Sequence, residues 1–250
     1  MDFYTDVRVW SGKILYRGIE NGRRVRHKVD YHPSLFVPTT QPSKYKTIYG
    51  ENMGKISPGT IKDCREFVKQ YDGSNFKVYG NQRYEYCFIA DTYPGAIQWD
   101  IDLIKIANID IEVGSDNGFP EPEEANEPLT AITVKMDGRF ITFGTGDYKN
   151  NRDDVTYFRC NSEIDLIQKF LGWWESDYPD IITGWNVQGF DITYLVNRIR
   201  KMMGEDHVKR LSPWGIILDK VLDLGNNRKI DSYSIGGIAT LDLMDCLLYT

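Results

Sequence analysis

The chain has 250 residues, 41% hydrophobic and 26% charged, with 16 Tyr, 11 Phe and 6 Trp. That composition excludes a disordered chain and gives enough large apolar surface for about two packed domains. With 30 Lys and Arg against 36 Asp and Glu, the formal charge is −6. This argues against a protein that coats duplex nucleic acid, which needs clustered excess cation, and leaves room for an enzyme that grips a short strand.

Four cysteines without a C-x-x-C pair point to neither a zinc module nor a disulfide framework. The N-terminus has no basic and apolar leader, and no apolar run is long enough for a membrane span. The expectation is a soluble chain from a reducing compartment.

In chain order, Lys13 to Ile19 and Arg23 to Tyr31 read as strands joined by an Asn21-Gly22 hairpin turn. Arg23, Arg24, Arg26, His27 and Lys28 make the second strand basic, a pattern that suits a solvated face better than a nucleic-acid contact. Thr60 caps a predicted helix with Ile61, Cys64 and Val68 at helical spacing. Two short strands are predicted at Tyr84 to Ala90 and Ile97 to Asp102, separated by Pro94-Gly95. Near residue 103 the pattern changes, which predicts domains at 1–103 and 104–250.

Lys105 to Val113 reads as a strand, and a Pro-rich acidic loop (116–128) follows it. Thr130 to Met136 and Arg139 to Gly144 pair as a hairpin across Asp137-Gly138. Ser162 opens a helix with Ile164, Ile167 and Leu171 in one stripe and Leu166, Phe170 and Trp174 beside it. Ile181 to Trp185 is a short buried strand, and a second helix carries Leu195, Ile199 and Met202. A further hairpin spans Ile216 to Leu224 and Lys229 to Ser234, turning at Gly225-Asn226-Asn227. The order predicts an α/β layer on a mixed sheet. The apolar run from Ile238 to Thr250 has no cap or polar tail, so a C-terminally truncated fragment is expected.

Asp110 and Glu112 stand two apart in an apolar strand, so both carboxylates leave one face, with α-carbons about 6.6 Å apart. Carboxylates that close repel unless a proton or cation intervenes, and Mg²⁺ favours oxygen ligands. For an isolated D-x-E, a wet strand face is the better explanation; here the strand follows a domain boundary and a third acid stands in a special setting further on. Asp191 ends the segment Thr183-Gly-Trp-Asn-Val-Gln-Gly-Phe-Asp191 at the mouth of the second helix, where an N-cap or first-turn acid is the plain alternative. Asn186 and Phe190 flank it, and an amide beside an aromatic suits a nucleotide, one bonding and the other stacking. Phe119 is either a second stacking surface or a loop anchor. Arg198, Arg200, Lys201, Lys209 and Arg210 could meet phosphates or form a solvated helix face.

Ala107-Asn-Ile-Asp-Ile-Glu-Val113 resembles the first exonuclease motif of family B DNA polymerases, and Asn186-x-x-x-Phe190-Asp191 resembles the second. Tyr31-His-Pro-Ser-Leu-Phe36, Gly118-Phe-Pro-Glu-Pro122 and Lys209-Arg-Leu-Ser-Pro213 extend the resemblance to the replicative polymerases of T-even-type bacteriophages. The resemblance implies a mainly-β N-terminal domain followed by a ribonuclease H-like 3′–5′ exonuclease domain. It implies that Asp110, Glu112 and Asp191 bind two divalent ions, Mg²⁺ or Mn²⁺, and that Phe119 and Phe190 meet the primer terminus. It also implies that the hairpin near 216–234 helps to move the primer strand, and that the partners are a single-stranded 3′ primer end, the rest of a polymerase and a sliding clamp. The setting implied is the cytoplasm of an infected bacterium, with no membrane involved. The family's third motif, Tyr-x-x-x-Asp, has no match here, so weak metal binding and little or no cleavage of single-stranded DNA are expected. The rival readings are a stand-alone carboxylate exonuclease and a non-catalytic nucleic-acid-binding module.

Overall fold

A computed structural model describes residues 1–116, 118–223 and 229–248. The chain divides into two compact units, Met1–Asp100 and Ile101–Thr250. Among the described residues, no helix is long and apolar enough to cross a membrane.

In the first unit, β1 (Phe3–Trp10), β2 (Lys13–Glu20) and β3 (Arg23–Val29) form an antiparallel sheet in that order. Its two turns, Ser11-Gly12 and Asn21-Gly22, hold all four residues at positive φ, the conformation that matches the twist of a tight hairpin. A second small sheet combines β4 (Leu35–Pro38), β5 (Tyr45–Lys46) and β6 (Asn52–Ile56) in the order β4-β6-β5. Helix α1 (Ile61–Tyr71) starts as expected at Thr60. The Thr60 hydroxyl accepts from the Asp63 N–H, and the Asp63 carboxylate accepts from the Thr60 N–H.

The segment read as a strand at 84–90 is instead a helix, α2 (Tyr84–Thr92). Its aromatic and branched residues favour a strand locally, but packing overrides that preference. Tyr84 is buried, and one turn on Phe88 meets Tyr16 and Tyr31 edge-on, with ring centres 6.0 and 5.5 Å apart. The strand expected at 97–102 is also absent: residues 97–100 are irregular and Ile101–Leu103 form a 3₁₀ turn. Ile14, Tyr16, Leu35, Ile61, Cys64 and Tyr84 form the core of this unit.

The second unit is built on a six-stranded mixed sheet. Its strands are β7 (Ile106–Val113), β8 (Leu129–Met136), β9 (Arg139–Gly144), β10 (Val155–Arg159), β11 (Ile181–Gly184) and, later in the chain, β14 (Ala239–Asp242). They lie in the order β10-β9-β8-β7-β11-β14. The run β7-β8-β9 is antiparallel, while β10 joins β9, and β11 and β14 join the other edge, in parallel. The β8–β9 turn falls at Asp137-Gly138, both at positive φ, as the sequence predicts.

Helix α3 (Glu163–Ser176) buries Leu166, Ile167, Phe170, Leu171 and Trp174, whereas Ile164, assigned to its apolar stripe, is exposed. Helix α4 (Thr193–Met203) likewise buries Leu195, Val196 and Ile199 and leaves Met202 partly outside. A short α5 (Glu205–Lys209) leads to the hairpin of β12 (Ile217–Asp223) and β13 (Lys229–Ile235), and α6 (Leu243–Leu248) follows β14. The turn expected at Gly225-Asn226-Asn227 lies outside the described residues.

Candidate functional site

Strand β7 alternates as the D-x-E pattern requires. Ala107, Ile109 and Ile111 are buried in the core, while Asp110 and Glu112 are exposed. Its neighbour β11 is short: the last register pair between them is Asn108 with Thr183. Beyond that point Gly184 passes so close to β7 that a Cβ there would lie 3.0 Å from the Ile109 carbonyl oxygen. The chain then turns at Asn186, which has φ 53°, a left-handed conformation that Asn tolerates better than most residues.

A single π-helical turn, Gln188–Ile192, follows and runs directly into α4. Its wide bond, from the Ile192 N–H to the Val187 carbonyl at 2.8 Å, inserts one extra residue into the helical path. The Asp191 carboxylate does not cap α4. Its Oδ1 accepts from the buried N–H of Ile111 at 3.0 Å, where β11 has already ended. Asp191 is thus docked on the main chain of β7 at Ile111, the residue between Asp110 and Glu112, while it also stands in the first turn of the π-helical segment, as the plain alternative expects.

The electrostatics reflect this placement. Burial pushes the Asp191 carboxyl up from 3.8 to about 7, and the Asp110 and Asp242 charges add to the rise, against the lowering effect of the Ile111 bond. Such a group keeps its proton until a cation or a higher pH removes it. Among the described residues, no group of three or more His, Cys, Asp or Glu is gathered tightly enough to hold an ion as it stands. The donor set is nevertheless chemically suited to one: carboxylate oxygens, one of them buried, are ligands for hard divalent cations.

The two aromatic candidates meet. Phe119 is 79% exposed, and its ring centre lies 5.7 Å from that of Phe190, which in turn packs on Tyr194. Phe190 is partly buried against the core and fixed; Phe119 projects beside it. Asn186 lies across the turn from Asp191, on a cavity of about 230 Å³ that it lines with Gln188, Lys220 and Asp242.

Of the basic residues of α4 and the segment after it, Lys201 and Lys209 are exposed, as a solvated face expects, whereas Arg198 is buried. Arg198 makes a two-pronged ion pair with Glu163 at 2.7 Å, both side chains nearly buried. Arg200 meets Glu205 and Tyr233, Lys201 meets Asn126, Lys209 meets Asp206, and Arg210 meets Glu175.

Sequence reasoning missed Gln188 and Asp242, both buried and both bonded into this turn. The signal available for Asp242 was a lone acid in the apolar run Ala-Thr-Leu-Asp-Leu-Met, read there only as an unfinished end.

Residues 94–248 match the family model described as DNA polymerase family B, exonuclease domain. The DNA-directed DNA polymerases of Enterobacteria phage T4 and Escherichia phage RB69 are 32% and 33% identical to the chain, over 98% of its length in each case. The DNA polymerase catalytic subunit of Psittacid herpesvirus 1 is 23% identical over 57% of the chain. The chain spans about 30% of the length of the two phage relatives.

Proposed function

The chain belongs to the exonuclease-domain family of family B DNA polymerases, and from that premise we propose that, as part of an intact phage replicative polymerase, it serves the proofreading reaction that removes nucleotides from the 3′ end of single-stranded DNA, and that the chain alone, which has no third motif, cleaves little or not at all. Residues 1–103 are its N-terminal domain and 104–250 part of its exonuclease domain. Asp110, Glu112 and Asp191 hold two divalent ions, Mg²⁺ or Mn²⁺. When bound, such ions supply Lewis acidity at the scissile phosphate and lower the pKa of the attacking water.

The remaining work falls to the chain itself. The Ile111 N–H fixes one oxygen of Asp191 on β7. Phe119 and Phe190 offer apolar faces to the terminal bases, worth about 1–3 kcal/mol for each base stacked. Asn186 supplies an amide for a hydrogen bond to the terminal nucleotide. Selectivity follows from unstacking: a mispaired end leaves its duplex at lower cost and reaches the site more often. The partners are the primer strand, the rest of a polymerase and, through it, a sliding clamp, in the cytoplasm of an infected bacterium.

The observation that carries this reading is the seat of Asp191 on the Ile111 N–H, between Asp110 and Glu112. Titration with Mn²⁺, followed by the loss of the free-ion electron paramagnetic resonance signal, tests it. Binding that disappears in Asp191→Asn supports the site, and a wild-type chain blind to metal overturns it.

A further inference from the structure

Asp242 is buried, 5% exposed, and lies on β14, 51 positions after Asp191. A buried carboxylate is costly unless hydrogen bonds satisfy it, and both of its oxygens are used. Oδ1 accepts from the N–H of Met244 at 3.0 Å, the local bond that starts α6. Oδ2 accepts from the N–H of Gln188 at 2.9 Å, in a buried bond reaching across 54 residues. A helix start needs only the first of these. The second ties β14 to the opening residue of the π-helical turn that carries Phe190 and Asp191.

Gln188 is held on its other sides as well. Its carbonyl oxygen accepts from the hydroxyls of Ser232 at 2.7 Å and Thr193 at 2.8 Å, and its side-chain oxygen accepts from Lys220. Lys220 and Ser232 are cross-strand partners in the β12–β13 hairpin. The turn is therefore fixed by a carboxylate from the sheet edge and by a gripping pair from the hairpin, while its far end places Asp191 on β7.

We infer that Asp242 is a positioning residue: through the Gln188 N–H it sets the turn so that Asp191 faces the acids of β7, without itself binding the ion. This rests on the reading of Asp110, Glu112 and Asp191 as the ion-binding trio. Charge-assisted bonds of this kind are strong, and loss of the groups that orient metal ligands typically weakens metal affinity by about 10–100-fold.

The test uses the full chain and Mn²⁺ alone as the ligand, with the far-ultraviolet circular dichroism spectrum as the check that the fold is kept. Asp242→Asn keeps the shape but offers one acceptor where two N–H groups need one each. It is expected to weaken Mn²⁺ binding by about 10–100-fold while leaving the far-ultraviolet circular dichroism spectrum unchanged. Asp191→Asn is the reference for loss of a ligand. Equal Mn²⁺ affinity in wild type and Asp242→Asn overturns the inference alone. Loss as complete as in Asp191→Asn also overturns it, by making Asp242 a ligand. A wild-type chain that binds no Mn²⁺ overturns the ion site and the inference with it. Should Asp242→Asn fail to fold, Thr193→Val/Ser232→Ala removes the two hydroxyls on the Gln188 carbonyl and leaves Asp242 in place. A weakened Mn²⁺ affinity in that variant, with the circular dichroism spectrum kept, supports the inference, and an unchanged one overturns it.

Discussion

Asp191, a proposed ion ligand, sets the stability of the fold against that proposed role in one side chain. Its folded pKa of about 7 lies above the 3.8 of an ordinary aspartate, so between those values the native state carries a proton that the unfolded chain has lost. Stability therefore falls as pH rises from about 4 through 7, and the full cost, on the order of a few kcal/mol, is present above that window. Asp191→Asn keeps an oxygen for the Ile111 N–H and carries no charge. In metal-free buffer it is expected to be more stable than wild type at pH 8 and nearly equal to it at pH 4, measured by urea unfolding at both pH values. A difference that is the same at both would contradict this. Phe119 poses the opposite case. At 79% exposure it contributes little to the fold, so Phe119→Ala is expected to shift stability by less than about 0.5 kcal/mol. The same change should cost about 1–3 kcal/mol of single-strand affinity in anisotropy titrations, the worth of one stacking contact.

At the scale of elements, helix α4 is a rack for the loop that presents Phe119. The Asn197 amide donates to the Pro122 carbonyl at 3.0 Å, Arg198 donates to the carbonyls of Ala125 and Asn126, and the Tyr194 hydroxyl donates to that of Glu127 at 2.6 Å. Glu163 completes the rack by pairing with Arg198 and accepting from the Leu129 N–H. Glu163→Gln leaves the Arg198 charge buried and uncompensated. Such a break costs about 3–5 kcal/mol, to be read from the denaturation midpoint, with faster amide exchange across residues 121–128. A variant as stable as wild type would show that the pair is not what holds the loop. Much of this architecture was legible. The D-x-E alternation of β7 follows from a period of two, and Asp137-Gly138 announces its turn because both positions accept positive φ. The rack was not legible, because Arg198 in sequence is one cation among several and only the fold shows that Glu163, 35 residues away, lies within reach. Helix α2 was misread for a related reason: the contacts of Phe88 with Tyr16 and Tyr31 decide its conformation, and none of them is local.

For the molecule as a whole, a net charge of −6 and a cluster of carboxylates are an unpromising surface for DNA until cations intervene. The two motifs that propose the site are both short and local, which is why Asp110, Glu112, Asp191 and Phe190 could be put forward from sequence. Asp242 could not, because its partner Gln188 lies on another element 54 residues away. Whether the acids converge on a shared cation can be read from anomalous diffraction of crystals soaked in Mn²⁺. A manganese peak bonded to carboxylate oxygens of Asp110 and Asp191 is expected, at about 2.1 Å by analogy with hard six-coordinate cations. A peak elsewhere, or none beside Asp191 in crystals that bind Mn²⁺ at other positions, would contradict it.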